Sequence, residues 1–433
     1  MLLCSPKWQK ILGFVFSAVL VVSVAACGVA TPSTPKTESP SASAKPSEAA
    51  KPSASESAKP SASAPASKEP MKVGVILTLT GPTGSVGTKD LAGVEMAVEE
   101  INAAGGIMGR KIELIQRDDG GDPTKARTAA EELVEKNKVE FIVGPTITSP
   151  AQAAATFLTD AKVVNITSGT GDAATDPTKF PYAFTNGLWA SEQGQPIARY
   201  AVDIIKTNKV GIVAEAGAYG IASTDGYKAG LKAKGLEPVG IQQFTTGATD
   251  MSGQLNALKR AGAEAVLLAS TGADSARVLK TFQAIGWDVP VLGNVDLTSA
   301  AVVDVVGPEG MKNVYALGYE RMAFSDKKPI NPKTKAFADK LAKRMNLPAL
   351  KDAFTFEAQY YDTVYVLKMA IEKAGTTEGP KLAAALEQVK DWDGVYASWS
   401  YSKTRHCALE PDDQVMVKAS SGKAGFFELA PGY

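Results

Sequence analysis

Two short loops rich in hydroxyl groups are the residues of this chain best suited to chemistry. Residues 146–150 read Thr-Ile-Thr-Ser-Pro and follow an apolar run, and residues 167–172 read Thr-Ser-Gly-Thr-Gly-Asp and follow the next one. Hydroxyls and free amide N–H groups at the start of a helix bind anions such as carboxylates. The pair therefore predicts an anion site. Taken alone, Ser149 also fits a helix N-cap with Pro150 at the first helical position.

Four more side chains fall where strands of the predicted sheets end. Tyr219 follows the apolar run 210–214, and Trp189, Thr271 and Asp296 lie at comparable junctions. An aromatic ring at such a position suits the wall of a cleft, although plain packing explains it equally well. Asp296 also fits a cap of the turn into Leu297.

Sequence motifs of catalysis are missing from the chain. It contains no Gly-x-Ser-x-Gly, no phosphate loop, no His-Glu-x-x-His and no Cys-x-x-Cys. The single histidine, His406, excludes most histidine-based metal sites and is expected to be structural. With 46 basic and 46 acidic side chains, the chain has no charge excess for a nucleic-acid partner. We therefore expect neither a cofactor nor a metal.

The order of elements indicates the fold class. Apolar runs at 72–77, 112–116, 140–143 and 162–166 alternate with segments of helical spacing, and the pattern resumes with runs at 210–214, 238–242 and 265–269. Such alternation predicts an α/β protein with two doubly wound parallel sheets. Ligands of these sheets bind beyond the carboxyl ends of the strands, where the loops described above lie.

The N-terminal 70 residues predict export and a tether. Two lysines precede an uncharged apolar run that ends at Ala26, as in a signal peptide, and Cys27 follows small residues. We interpret 1–26 as a cleaved lipoprotein leader and Cys27 as the acylated anchor on the outer face of a bacterial membrane. A retained membrane anchor or an incidental cysteine is the alternative. Residues 27–70, rich in Ser, Ala, Pro and Lys, predict a disordered tether.

Several motifs together resemble the extracellular solute-binding proteins of the leucine/isoleucine/valine-binding type, which serve ATP-driven importers. The likeness covers nearly all of residues 72–425, and its motifs are Leu79-Thr80-Gly81-Pro82, Asn102-Ala103-Ala104-Gly105-Gly106-Ile107, Asp118-Asp119, Gly144-Pro145, Ser168-Gly169-Thr170 and Tyr219-Gly220. The resemblance implies two lobes joined by three crossovers near 188, 317 and 395. Lobe 1 is expected to hold 71–188 and 318–395, and lobe 2 to hold 189–317 and 396–433.

The resemblance also implies roles for individual residues. Thr148 and Ser149 would hold a ligand carboxylate with help from Thr170, and Ser168 would offer its carbonyl to the ligand's amino group. Tyr219 would close over the ligand, and Phe356 would form apolar wall. Where amino-acid binders place a glutamate for the ammonium, this chain has Val295 followed by Asp296.

The function expected from the sequence is capture of a small carboxylate-bearing solute, a branched-chain or similar amino acid, by a monomer that delivers it to the permease of an ABC importer. An amine-free organic or aromatic acid, an amide or urea is the alternative ligand. A receptor that presents its ligand to a sensor is the alternative role. An exported hydrolase is a third class, disfavoured because no base accompanies the hydroxyls.

Overall fold

The computed structural model describes residues 69–433, in which helices flank two β-sheets. The first sheet is fully parallel with the order β2-β1-β3-β4-β5. Its interior strand β1 is buried at every position except Lys72, as its continuous apolar run predicts. The strands are β1 Met71–Leu77, β2 Ile112–Asp118, β3 Phe141–Val143, β4 Asn165–Thr167 and β5 Ala183–Thr185.

The second sheet has eight strands in the order β11-β15-β14-β10-β9-β8-β6-β7. The strands from β10 to β7 run parallel, whereas β14 is antiparallel to both of its neighbours. A separate two-stranded ribbon pairs β12 with β13. The strands are β6 Val210–Glu215, β7 Gly240–Phe244, β8 Ala265–Ala269, β9 Val291–Gly293, β10 Val314–Tyr319, β11 Ala323–Phe324, β12 Trp392–Asp393, β13 Ser398–Trp399, β14 Gln414–Lys423 and β15 Phe426–Leu429.

Helices cover both faces of each sheet and bury their apolar stripes there. Asp122 caps α2 and Asn331 caps α9 through side-chain oxygens, with a proline at the first helical position in both. The helices are α1 Gly84–Ala103, α2 Pro123–Glu135, α3 Thr148–Ala161, α4 Ala190–Asp203, α5 Ala218–Lys232, α6 Ser252–Arg260, α7 Ala273–Ala284, α8 Ala300–Met311, α9 Pro332–Arg344, α10 Thr355–Ala374 and α11 Gly379–Leu386.

The start of α3 differs from the expected one. The helix begins at Thr148, and Ile147 occupies the N-cap position without a side-chain cap. Ser149 is therefore the second residue of the helix and not its N-cap. Its hydroxyl is free to bond elsewhere, and it does so across the cleft.

The third crossover between the sheets also differs from the expected position near Val395. Residues 395–409 pack with the first sheet. Trp399 lies in the same apolar cluster as Val73 and Phe184, and the backbone of Cys407 pairs with Thr185 of β5 in an isolated β-bridge. The chain reaches the second sheet only at β14. We therefore propose that lobe 1 extends to about residue 409, with the two sheets as the cores of the two lobes. The second crossover also lies later than the expected 317, because β10 runs to Tyr319 and β11 pairs with β15 of the second sheet. We propose that it follows Phe324.

The leader, Cys27 and the tether lie outside the described residues, so the expectations for them stay predictions. Within 69–433, none of the helices combines the length and apolarity needed to cross a membrane.

Candidate functional site

A cavity lies between the two sheets, at the carboxyl ends of their strands. It measures about 60 Å³, counted as the space open to the centres of water molecules. Its walls come from the loops after β3, β4, β8 and β9, from the end of β10, and from the first turns of α1, α3, α4, α5 and α10. The lining residues are Val86, Thr146, Ile147, Thr148, Ser168, Gly169, Thr170, Gln193, Tyr219, Thr271, Asn294, Val295, Asp296, Tyr319, Phe356 and Gln359.

The two hydroxyl loops form the wall on the side of the first sheet, here called the first wall. Thr148 Oγ1 accepts a hydrogen bond from the Gly171 amide at 3.1 Å, and Ser168 Oγ donates to the Thr146 carbonyl at 3.0 Å. A Cβ at Gly171 would lie 2.3 Å from Thr148 Cγ2, so glycine is required for this approach. Hydrogen bonds thus join the two loops that the sequence predicts to form one anion site.

The first amides of α3 belong to this wall and have no intrahelical acceptors. A helix leaves its first N–H groups unsatisfied, and Pro150 has none, so Thr148 and Ser149 supply the amides of the first turn. Ala151 already donates to the Ile147 carbonyl at 2.9 Å. The positive end of the helix dipole adds to their attraction for an anion.

The opposite wall, on the side of the second sheet and here called the second wall, contains the acceptors Asp296 and Asn294. Asp296 is 5 % exposed; its Oδ1 accepts from the Gly272 amide at 3.1 Å and its Oδ2 from Asn294 Nδ2 at 3.0 Å. Asn294 Nδ2 also donates to the Ser270 carbonyl at 3.1 Å, which fixes the amide orientation. Asn294 Oδ1 therefore faces away from these acceptors, and no group among residues 69–433 donates to it.

Burial tunes the carboxyl groups of this wall. Desolvation raises the pKa of Asp296 to about 6, although the Gly272 amide and Asn294 oppose the shift. Behind the wall, Glu215 accepts from Thr271 Oγ1 at 3.1 Å, and desolvation raises the pKa of Glu215 to about 7. At neutral pH the wall thus carries the charge of Asp296 with a partly protonated Glu215 behind it.

Seven of the nine residues predicted for the site line the cavity together: Thr148, Ser168, Thr170, Tyr219, Thr271, Asp296 and Phe356. The other two, Ser149 and Trp189, do not line it. Ser149 Oγ accepts from the Ala218 amide at 3.2 Å, and Trp189 donates its indole N–H to Thr175 at 2.9 Å while Arg405 lies 5.1 Å above its ring. Both serve contacts beside the cavity.

Two residues near Trp189 are structural. The Trp189 amide donates to Cys407 Sγ at 3.2 Å, and the thiol is fully buried, which raises its pKa to about 12. His406 stacks on Phe184 with ring centroids 3.8 Å apart. Among residues 69–433, no three His, Cys, Asp or Glu side chains converge as metal ligands.

Sequence reasoning missed Asn294, Gln193, Gln359 and Tyr319. Asn294 precedes Asp296 by two residues, so the strand end that pointed to Asp296 also held a signal for it. Gln193 and Gln359 lie in helices and come to the cavity only through tertiary packing, which no local pattern reveals. Tyr319 ends β10, a strand that was not predicted.

The cavity suits a ligand that is an anion at one end and a donor at the other. No lysine or arginine is among its lining residues, so the anion must be held by amides and hydroxyls of the first wall. On the opposite side, the carboxylate of Asp296 and the amide of Asn294 line the cavity, and both side chains carry oxygens that accept hydrogen bonds from N–H groups. A zwitterion combines both ends in one small molecule.

Comparison with known proteins places the chain among binding proteins. The family model described as periplasmic binding protein matches residues 70–422. A Leu/Ile/Val-binding protein homolog of Brucella melitensis is 30 % identical over 346 residues, which cover 79 % of this chain and 89 % of the relative.

Solved structures show the same fold. A branched-chain amino acid transporter substrate binding protein of Streptococcus pneumoniae, in complex with isoleucine, has a TM-score of 0.72 at 25 % identity, with 83 % of this chain and 99 % of that chain covered. A solute binding protein of an ABC transporter from Rhodopseudomonas palustris, in complex with 3,4-dihydroxybenzoic acid, has a TM-score of 0.71 at 22 % identity, with 83 % and 95 % covered.

Proposed function

The chain belongs to the periplasmic binding protein family, and from this premise we propose that it captures an aliphatic amino acid of the branched-chain type for an ABC importer. The family is one of solute-binding proteins of transporters, so the chain is a binding protein and not an enzyme. The ligand would lie in the cavity between the two sheets, and the two lobes would close around it.

The ligand's carboxylate would lie against the first wall. The free amides at the start of α3 and the hydroxyls of Thr148 and Thr170 are hydrogen-bond donors for it, and the dipole of this helix favours negative charge. Ser168 would offer its carbonyl to the ligand's amino group. These groups replace the water that a carboxylate loses on entering a closed cleft.

Asn294 is the observation that carries the proposal. Its Oδ1 is a buried acceptor beside the carboxylate of Asp296, and both residues line the cavity. A ligand ammonium would supply hydrogen-bond donors and a positive charge beside these two side chains, whereas an amine-free acid would leave Asn294 Oδ1 unpaired and the charge of Asp296 uncompensated. An unsatisfied buried acceptor costs about 1–3 kcal/mol, which disfavours the amine-free acids.

The remaining wall indicates an apolar side chain on the ligand. Val86, Val295, Phe356 and Tyr319 line the cavity. Tyr219 lines it too and would close over the ligand. Burying each methylene of a ligand there contributes about 0.8 kcal/mol. Leucine, isoleucine and valine combine such a side chain with both charged ends.

The cellular location and the partners that we propose are inferred from the sequence. The mature protein would begin at acylated Cys27, stand on its tether at the outer face of the cell membrane as a monomer, and deliver its ligand to the permease subunits. The family and its transporter relatives support an extracytoplasmic role. The lipid anchor depends on the leader and Cys27 alone.

A thermal-shift screen of the full chain, with hits confirmed by calorimetry, tests the proposal. The panel contains the amino acids, amine-free aliphatic and aromatic acids, and small amides including urea. We expect stabilisation by leucine, isoleucine or valine. A response only to amine-free acids or amides would overturn the amino-acid assignment, and a response to none of the panel would overturn the proposed ligand class altogether.

A further inference from the structure

Three helices of the second sheet begin at the cleft, and the first amide of each donates to an acceptor in the part of the chain that we assign to the first lobe. These helices are α5, α7 and α8, and all belong to the second sheet's side of the molecule. The bonds are Ala218 N–H to Ser149 Oγ at 3.2 Å, Ala273 N–H to the Pro82 carbonyl at 3.0 Å and Ala300 N–H to Asp352 Oδ1 at 2.6 Å.

The helices do not cap themselves. Their own N-cap residues are Gly217, Gly272 and Ser299, and none of these makes a side-chain cap hydrogen bond. Glycine has no side chain to do so. Because the first amides of a helix have no intrahelical acceptor, the caps of these three helices come from the opposite lobe.

Asp352 is the strongest of the three caps. Its carboxylate accepts from the first amide of α8 with one oxygen and pairs with Lys89 through the other, and Lys89 also donates to the Ala353 carbonyl at 3.0 Å. Lys89 on α1 thus holds the carboxylate in place from within the first lobe. A negative charge at a helix N-terminus is favoured by the helix dipole as well as by the hydrogen bond.

We infer that Asp352 is a latch that caps α8 only when the lobes are closed, and that it sets the balance between the closed and open forms. Asp352 is not among the residues that line the cavity, so it acts on affinity without touching the ligand. The inference rests on the proposed closure of the two lobes. It also gives the hydroxyl of Ser149 a role, as a second and weaker cap, while the amide of Ser149 stays available to the ligand carboxylate.

The expected effect follows from the energy of a cap. Loss of an N-cap acceptor changes a folding equilibrium by roughly tenfold, which corresponds to about 1.4 kcal/mol. Here both states remain folded, so the same loss shifts the closed form against the open form. If the ligand is held only in the closed form, its apparent affinity falls by the same factor, chiefly through faster dissociation.

The test is single-molecule energy transfer between the lobes of the full chain. Labels are placed on Glu113→Cys of β2 and Arg260→Cys at the end of α6, both exposed positions, with Cys4→Ser and Cys27→Ser; Cys407 is buried and stays. Asp352→Ala removes the cap, and Asp352→Asn keeps a carbonyl oxygen for the α8 amide. Asp339→Ala is the matched control, since it removes an exposed carboxylate paired with Lys335 inside α9.

We expect Asp352→Ala to lower the ligand-free ratio of closed to open molecules about tenfold and to shorten the closed lifetime in saturating leucine by a similar factor. Asp352→Asn should fall in between, and Asp339→Ala should match the unmutated protein. Equal closed ratios in Asp352→Ala and Asp339→Ala would overturn the latch. If leucine closes none of the variants, the proposed ligand fails, while the ligand-free comparison still decides on the latch.

Discussion

Replacing Asp296 by asparagine should weaken leucine binding roughly ten- to hundredfold. The substitution keeps the shape of the side chain and removes its charge at a position that is 5 % exposed. A hydrogen bond to a charged group contributes about 1.5–3 kcal/mol, and each 1.4 kcal/mol is a factor of ten in affinity.

The surroundings of Asp296 should make the loss of leucine affinity in the asparagine variant larger than the loss of a charge alone would cause. Both oxygens of Asp296 already accept hydrogen bonds, from the Gly272 amide and from Asn294 Nδ2. The amide nitrogen of an asparagine would face one of these two donors in either orientation. We therefore place the expected loss toward the upper end of the range.

The pH dependence of leucine affinity separates the contribution of the Asp296 charge from that of the side chain's shape. Burial raises the pKa of Asp296 to about 6. The ammonium of leucine stays charged throughout this range, so protonation of Asp296 below pH 6 removes the attraction. Leucine affinity of the unmutated protein should be nearly constant from pH 8 to 7 and fall below pH 6.

The assay is calorimetric titration of leucine into both proteins between pH 5 and 8. In Asp296→Asn, the fall in affinity below pH 6 should disappear, because no carboxylate remains to be protonated at this position. Equal dissociation constants for both proteins at pH 7.5, or the same loss of affinity below pH 6 in both, would refute the assignment of Asp296 as the ammonium partner.

Three further predictions concern other parts of the molecule. Thr170→Ala should weaken leucine binding about tenfold with an unchanged melting temperature, because the Thr170 carbonyl and not its hydroxyl holds the Ala190 amide; unchanged affinity in calorimetry would remove Thr170 from the site. Burial raises the pKa of Glu215 and of Glu357 to about 7, so the ligand-free protein should resist urea better at pH 5.5 than at pH 8. The opposite order would contradict their buried protonation. Cys27→Ser should move the protein from the membrane fraction to the soluble fraction, and continued membrane attachment would refute the lipid anchor.

The sign of the predicted pH effect follows from where the protons bind. In the folded chain, Glu215 and Glu357 have pKa values of about 7, well above those of exposed glutamates. Between about pH 4 and 7 the folded state therefore holds more protons than the unfolded state. By linkage, the free energy of unfolding falls as the pH rises through this window.

The sequence predicts the fold well because its signals are local. The buried run of β1, the apolar spacing of α1 and the glycine-bounded loops recur along the chain, and alternating strands and helices allow few topologies. The ends of the elements are harder to predict from sequence. The capping rule places Ser149 at the N-cap of α3 with Pro150 at the first helical position, whereas the helix starts at Thr148 and Pro150 is its third residue.

Predicted site residues line the cavity where they follow a strand, and lie beside it where their position depends on a partner that is distant in sequence. Asp296 and Thr271 are placed by the ends of β9 and β8, which the rule for parallel sheets identifies. The Ser149 hydroxyl lies beside the cavity because it accepts a hydrogen bond from the Ala218 amide, 69 residues away. The crossover after residue 409 depends likewise on packing of Trp399 and Cys407 against β5.

The most direct test of the central claim compares two ligands that differ only in the amino group. Leucine and 4-methylpentanoate share their carboxylate and their side chain, and both can be titrated into the full chain by calorimetry at pH 7.5. We predict that leucine binds at least tenfold more tightly, because only its ammonium satisfies Asp296 and Asn294. Equal or tighter binding of 4-methylpentanoate would contradict the proposal that the second wall recognises an amine.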